Sequence, residues 1–147
     1  MPLFADLAIR TSAFENLERI PDIHTADGGN AAPELVVSGV PDGTVELAVI
    51  AHDPDAPLPQ GFTHWTVYGI DPADELIDGE TGRQGPRSFG EGYFGPQPPT
   101  GHGVHHYYFW VYALGRPVDG TPVRERFLQE YADAILEQAR VVGTYQN

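Results

Sequence analysis

Asp53 and Asp55 flank a proline in the segment His52-Asp53-Pro54-Asp55-Ala56-Pro57, which closes the apolar run of residues 45–51. That run carries one charge between Gly43 and the prolines, and it predicts a largely buried strand. Pro54 fixes one φ angle and biases Asp53 towards an extended backbone. In an extended segment i and i+2 side chains point the same way, so both carboxylates are expected to face one spot. Two carboxylates so close cannot both ionise cheaply. One should therefore hold a raised pKa and keep a proton it can share in a hydrogen bond, while its neighbour stays an acceptor. Further along stand His64, His105 and Tyr107, two imidazoles that titrate near neutrality and one phenol. Taken singly, each is a weak signal. A lone carboxylate pair more often serves a turn, and a lone histidine is usually a satisfied core or surface residue.

The elements that must hold these groups read as mainly β. Residues 3–9 alternate and predict an opening strand, while residues 16–20 are ambiguous. Residues 24–33, with Gly28-Gly29, are loop chemistry, and residues 35–37 predict a second strand. Residues 62–70 alternate so that His64, Thr66 and Tyr68 share one face, with Trp65 and Val67 on the other. Residues 71–101 offer no convincing element. About thirty residues without structure usually mean function or disorder, and Phe89, Tyr93 and Phe94 argue against disorder. Residues 104–114 form the strongest strand, with His105, Tyr107, Phe109, Val111 and Ala113 on one face. Apolar side chains on both of its faces predict a central strand covered on two sides. Thr121-Pro122 then reads as a helix start, and Phe127, Leu128, Tyr131, Ile135, Leu136 and Ala139 follow at helical spacing, with Gly143 as the stop. The expected product is one domain over residues 1–147, a mostly antiparallel β core with a single C-terminal helix.

Composition narrows the functions. Twenty-one acidic residues stand against eight basic ones, all arginine, for a formal charge of −13. Such a surface repels phosphate backbones, which disfavours nucleic acid and anionic membranes without excluding one local anion pocket. The absence of cysteine excludes disulfides, thiolate metal sites and thiol catalysis. No window approaches a membrane span and no signal peptide is visible at the N-terminus, so a cytoplasmic location is expected.

In order, Asp-Pro-Asp-Ala-Pro (residues 53–57), His64-Trp65, and a Gly-Pro-x-Pro-Pro-x-Gly-x-Gly-x-His-x-Tyr-x-Phe-x-x-Tyr-Ala-Leu run (residues 95–114) resemble the phosphatidylethanolamine-binding proteins. The nearest branch is the small prokaryotic Raf-kinase-inhibitor-like proteins, and the resemblance runs from Pro33 to Tyr145. It includes Gly39-Val40-Pro41 and Val142-Gly143-Thr144-Tyr145. It implies an antiparallel β-sandwich-like core and a small rim pocket for phosphate-type head groups and oxyanions such as acetate. Carried over by position, the pocket residues are Asp53, Asp55, Ala56, Pro57, His64, Gly95, Pro96, His105 and Tyr107. Backbone N–H groups around Gly95 are expected to point into the pocket. Three positions depart from the family pattern. His106 replaces an arginine and should point away from the pocket, Val37 replaces a tryptophan, and Gln97 stands where relatives often have cysteine.

The resulting expectation is a binding protein for a small anionic ligand whose affinity rises as pH falls. It is expected to need no cofactor, to have no integral membrane contact and, as relatives in prokaryotes often do, to form a homodimer. A regulator that inhibits a protease or kinase is the alternative. Hydrolysis is disfavoured because no nucleophile is paired with a base. His52, Asp53, Asp55, His64 and His102 are legal metal ligands, with His102-x-x-His105 at a plausible spacing. Alternation separates their side chains, so no metal is expected.

Overall fold

The computed structural model describes residues 6–147. Ten strands and one α-helix follow in chain order. β1 (Ala8–Thr11) and β2 (Leu35–Ser38) precede the two long central strands, β3 (Glu46–Asp53) and β4 (Phe62–Ile70). Four two-residue strands come next: β5 (Leu76–Ile77), β6 (Arg83–Gln84), β7 (Pro86–Arg87) and β8 (Gly90–Glu91). β9 (His105–Leu114), α1 (Arg124–Glu130) and β10 (Ile135–Tyr145) complete the chain.

All strand pairs are antiparallel. One sheet runs β10-β9-β3-β4-β6, a second β1-β2-β5, and β7 and β8 form a separate hairpin. The large sheet is covered on both faces. Leu47, Val49 and Ala51 of β3 turn towards Ile9, Leu35, Val37 and Ile77 of the small sheet. Ala48 and Ile50, one position out of phase, turn towards Phe127 and Tyr131 at the helix. β3 and β9 thus read as nearly continuous apolar runs, because each residue finds cover whichever way it points. Each fully buried Ile, Leu or Phe contributes roughly 1.5–3 kcal/mol, so this two-sided core is what fixes the central strands.

Three expectations are corrected here. The helix is seven residues, Arg124–Glu130, and begins after Val123 rather than at Thr121. Residues 135–145, expected to continue the helix, form β10 and pair along β9 from Ile135↔Leu114 to Tyr145↔His105. Ile135, Leu136 and Ala139 fit helical spacing, yet the burial along 135–140 alternates with period two, and Leu136 is exposed. Gly143 is no helix stop. A Cβ there would lie 2.5 Å from Cγ1 of Ile20, so glycine marks where the segment of residues 16–20 presses on β10. That ambiguous segment lies along the free edge of β10: Leu17 donates to the Val142 carbonyl at 2.6 Å and Ile20 to that of Thr144 at 2.8 Å.

The opening strand is Ala8–Thr11, and the part of the expected strand before Asp6 falls outside the described residues. Residues 71–101 are structured through the four short strands, with β5 on β2, β6 on β4 and the β7–β8 hairpin. Two-residue strands leave no periodicity to read.

Candidate functional site

The cavity lies at the end of the large sheet where β3 runs out, β4 begins and β9 begins. Its volume is about 250 Å³, below the usual range for drug-sized ligands. Asp53, Ala56, Pro57, His64, His105 and Tyr107 of the nine expected residues line it. Asp55, Gly95 and Pro96 do not.

Asp53 is the last residue of β3 and is 2% exposed. Its Oδ2 lies 2.6 Å from Nδ1 of His105, and its Oδ1 accepts the Asp55 backbone N–H at 2.7 Å. Burial pushes its carboxyl above the ordinary range, and the bonds from His105 and from the Asp55 backbone pull the other way. The charge of Asp55 adds little to the rise, so burial, not a like-charge pair, perturbs this group.

The expectation that both carboxylates face one spot is overturned. The chain leaves β3 after Asp53 and turns through Pro54-Asp55, so the i, i+2 rule for extended chain stops applying. Asp55 Oδ2 instead takes the backbone N–H and ring Nδ1 of His106, both at 2.8 Å, on a half-exposed surface. Its slight burial would raise its pKa, but the bonds from His106 outweigh that and hold it below the usual range. His106 points away from the cavity as expected and anchors the loop after β3 to β9.

His64 reaches the cavity through an irregularity. Across β3 and β4 the register passes from Ala51↔Trp65 to His52↔Thr63, leaving His64 as an extra residue on β4. Strict alternation would put His64 on the face of Thr66 and Tyr68, across the sheet from Tyr107. The bulge rotates it to the same side as Tyr107, with ring centroids 5.1 Å apart at 72°. Burial pushes its pKa down to about 4, which corrects the expectation of a histidine titrating near neutrality. Its Nδ1 bonds to the Phe94 carbonyl.

His105 and Tyr107 stand two apart on β9 and so share a face, as alternation predicts. His105 Nε2 lies 2.6 Å from Nδ1 of His102, giving a continuous chain from buried Asp53 through His105 to exposed His102. Tyr107 is 2% exposed. Burial and the nearby Asp53 charge raise its pKa, so the phenol stays protonated, and its hydroxyl has no protein partner among the described residues.

Gly95 supports the wall from behind. Its N–H donates to Asn30 Oδ1 at 2.6 Å instead of facing a ligand, which corrects that expectation. A Cβ on Gly95 would meet the His24 carbonyl oxygen at 2.0 Å, so only glycine lets the 93–98 loop close on the 21–31 loop. Pro96 is buried and accepts the Ala26 N–H at 3.1 Å. Gln97 reaches the rim and donates to Asp27 at 2.9 Å, and Val37 is core.

Sequence reasoning missed Asn30, whose amide also donates to the Tyr93 carbonyl at 3.1 Å, and the apolar wall of Leu58, Phe62, Phe89 and Phe94. The available signal was the turn chemistry of Gly28-Gly29-Asn30, which the structure bears out with a left-handed φ of 53° at Asn30. His52, a nominal metal ligand, is structural: Nε2 donates to the Gln60 carbonyl at 2.9 Å and Nδ1 takes Thr63 Oγ1 at 3.1 Å. Among the described residues no group of three or more His, Cys, Asp or Glu is placed to hold a metal ion. His102 and His105 are joined to each other by a hydrogen bond rather than splayed around a shared centre.

Fold and site together define an antiparallel β-sandwich with a small, largely apolar cavity at its rim, whose lining includes the buried polar side chains of Asp53, His64, His105 and Tyr107. The chain belongs to the phosphatidylethanolamine-binding protein family, whose model matches residues 10–146. A UPF0098 protein of Pyrococcus abyssi is 38% identical over 92% of this chain and 83% of its own length. The provisionally named lipoprotein LppC of Mycobacterium tuberculosis is 40% identical over 99% of this chain and 75% of its own. Among solved structures, YbcL of E. coli, described as a member of the mammalian PEBP family, superposes with a TM-score of 0.89 at 31% identity. That match covers 97% of this chain and 99% of YbcL. CT736 of Chlamydia trachomatis gives 0.86 at 28% identity, covering 98% and 99%. No helix among the described residues is long and apolar enough to cross a membrane.

Proposed function

We propose that this protein binds a small oxyanion or the phosphorylated head group of a larger molecule in the rim cavity. The observation that carries the reading is the convergence of Asp53, His64, His105 and Tyr107, all nearly buried, on one hollow of about 250 Å³. Protein hydrogen bonds offset the burial of Asp53, His64 and His105, and the Tyr107 hydroxyl is left to the hollow. The Tyr107 hydroxyl serves as a donor to the anion, and the wall of Phe62, Phe94 and Leu58 excludes competing water and lodges the organic remainder. The overall negative charge is compatible with this role, because recognition rests on short contacts inside the hollow and not on the field of the surface.

Amide chemical-shift mapping during titration with phosphoethanolamine tests the reading. Shifts are expected to concentrate at residues 53–58, 94–98 and 105–107, with the helix around Phe127 unmoved. Tyr107→Phe is expected to weaken binding by roughly ten- to a hundredfold, the worth of one hydrogen bond to a charged group. Absence of any saturable shift at the cavity would contradict the proposal.

A further inference from the structure

Hydrogen-bond polarity inside the cavity narrows the class of guest, on the reading that the cavity is an oxyanion site. The Phe94 carbonyl can only accept, so Nδ1 of His64 carries a proton and donates to it. In the neutral ring Nε2 is then a bare lone pair, and it is the nitrogen left to the cavity that His64 lines. His105 has both nitrogens engaged, Nδ1 with Asp53 and Nε2 with His102. The proton of the Asp53–His105 bond lies between Oδ2 and Nδ1 whichever group owns it, so Asp53 presents lone pairs to the cavity. Pro57, Pro98 and Pro99 contribute no N–H to the wall. Arg87 stacks on Phe94 at 4.8 Å, donates from Nε to the Glu91 carbonyl and from Nη1 to that of Ser88, and does not line the cavity. Among the buried side chains of the cavity, the one free donor is the Tyr107 hydroxyl.

An oxyanion without a proton would set its own lone pairs against those of His64 and Asp53. We propose that the cavity selects an oxyacid that retains an O–H of its own, hydrogen phosphate or a protonated phosphomonoester, and rejects an oxyanion of the same shape that has none. The ligand P–O–H donates to Nε2 of His64, and a second ligand oxygen accepts from Tyr107. Selection of this kind is strong, because a guest lacking the proton leaves a buried acceptor unpaired.

Calorimetric titration of the full chain with inorganic phosphate and with sulfate, at matched ionic strength and neutral pH, tests the proposal. Phosphate is expected to bind roughly a hundredfold or more tighter than sulfate. Equal affinities would overturn the proton requirement and leave the oxyanion reading intact. Binding of neither probe would overturn both. A second measurement does not depend on any variant folding. The 15N shifts of His64 in the phosphate complex are expected to report a neutral ring protonated at Nδ1, and an imidazolium there would overturn the proposal. His64→Gln places an amide near the Nε2 position that can turn either its oxygen or its N–H to the guest. It is expected to shrink the phosphate-to-sulfate ratio at least tenfold, and an unchanged ratio would overturn the role given to Nε2.

Discussion

His52 and His64 are both buried in the neutral form, and their consequences for stability have a definite sign. Burial lowers each pKa to about 4, with the charge of Arg124 adding to the effect at His52. In the unfolded chain both return to about 6.5. Between these values the unfolded state binds more protons than the folded one, so stability rises with pH through the window and is lost as pH falls through it. Asp53 acts oppositely, since its raised pKa lets the folded state keep a proton that the unfolded state releases. Two histidines against one carboxyl leave a net loss on acidification, with roughly 3 kcal/mol per histidine as the upper bound. Urea midpoints are expected to fall as pH is lowered from about 6.5 to about 4, and His52→Gln should remove about half of that slope. A midpoint that is flat or rising in that window would show that these rings are not buried neutral. At the same scale, the cavity was legible in part. Asp53, His105 and Tyr107 stand where alternation and the motif put them, whereas the partner of Asp55 lies across the fold on β9 and leaves no local trace in the chain.

β10 shows how an element can satisfy one period in sequence and another in space. Its apolar residues fit a helix, but residues 16–20 and β9 supply two edges to which only an extended chain can bond. Gly143 carries the proof. Gly143→Ala would put a Cβ within 3 Å of Ile20 and Phe14, both buried, and is expected to cost about 1–3 kcal/mol by overpacking. Ile20→Ala opens the space, so the double variant should be less destabilised than the sum of the singles by at least about 0.5 kcal/mol. Strict additivity in chemical denaturation would mean that the contact is not tight. β3 and β9 were legible because long strands buried on both faces announce themselves by nearly continuous apolar content, and β4 by its alternation. β5 to β8 were not, being too short to have a period, and the bulge at His64 was not, because the extra residue appears only when β4 is laid against β3. Without the family motif, alternation alone would have set His64 on the wrong side of the sheet.

At the scale of the molecule, two apolar layers on the large sheet supply the stability that lets its end hold polar groups away from water. Most of the charged side chains behind the net −13 lie on the surface, and the proposed binding is a local exception in which contact geometry outweighs the distant field. The same arrangement explains why the loops matter more than their lack of regular structure suggests. The 21–31 loop braces the 93–98 loop through Asn30, and Asp55 ties the loop after β3 to His106 on β9, so segments far apart in the chain close one wall. The most direct measurement is a crystal structure determined at saturating phosphoethanolamine. It is expected to show the phosphoryl group between His64 and Tyr107, with an oxygen within hydrogen-bond distance of each. A cavity left without the head group under those conditions, or a head group bound on another face, would contradict the account.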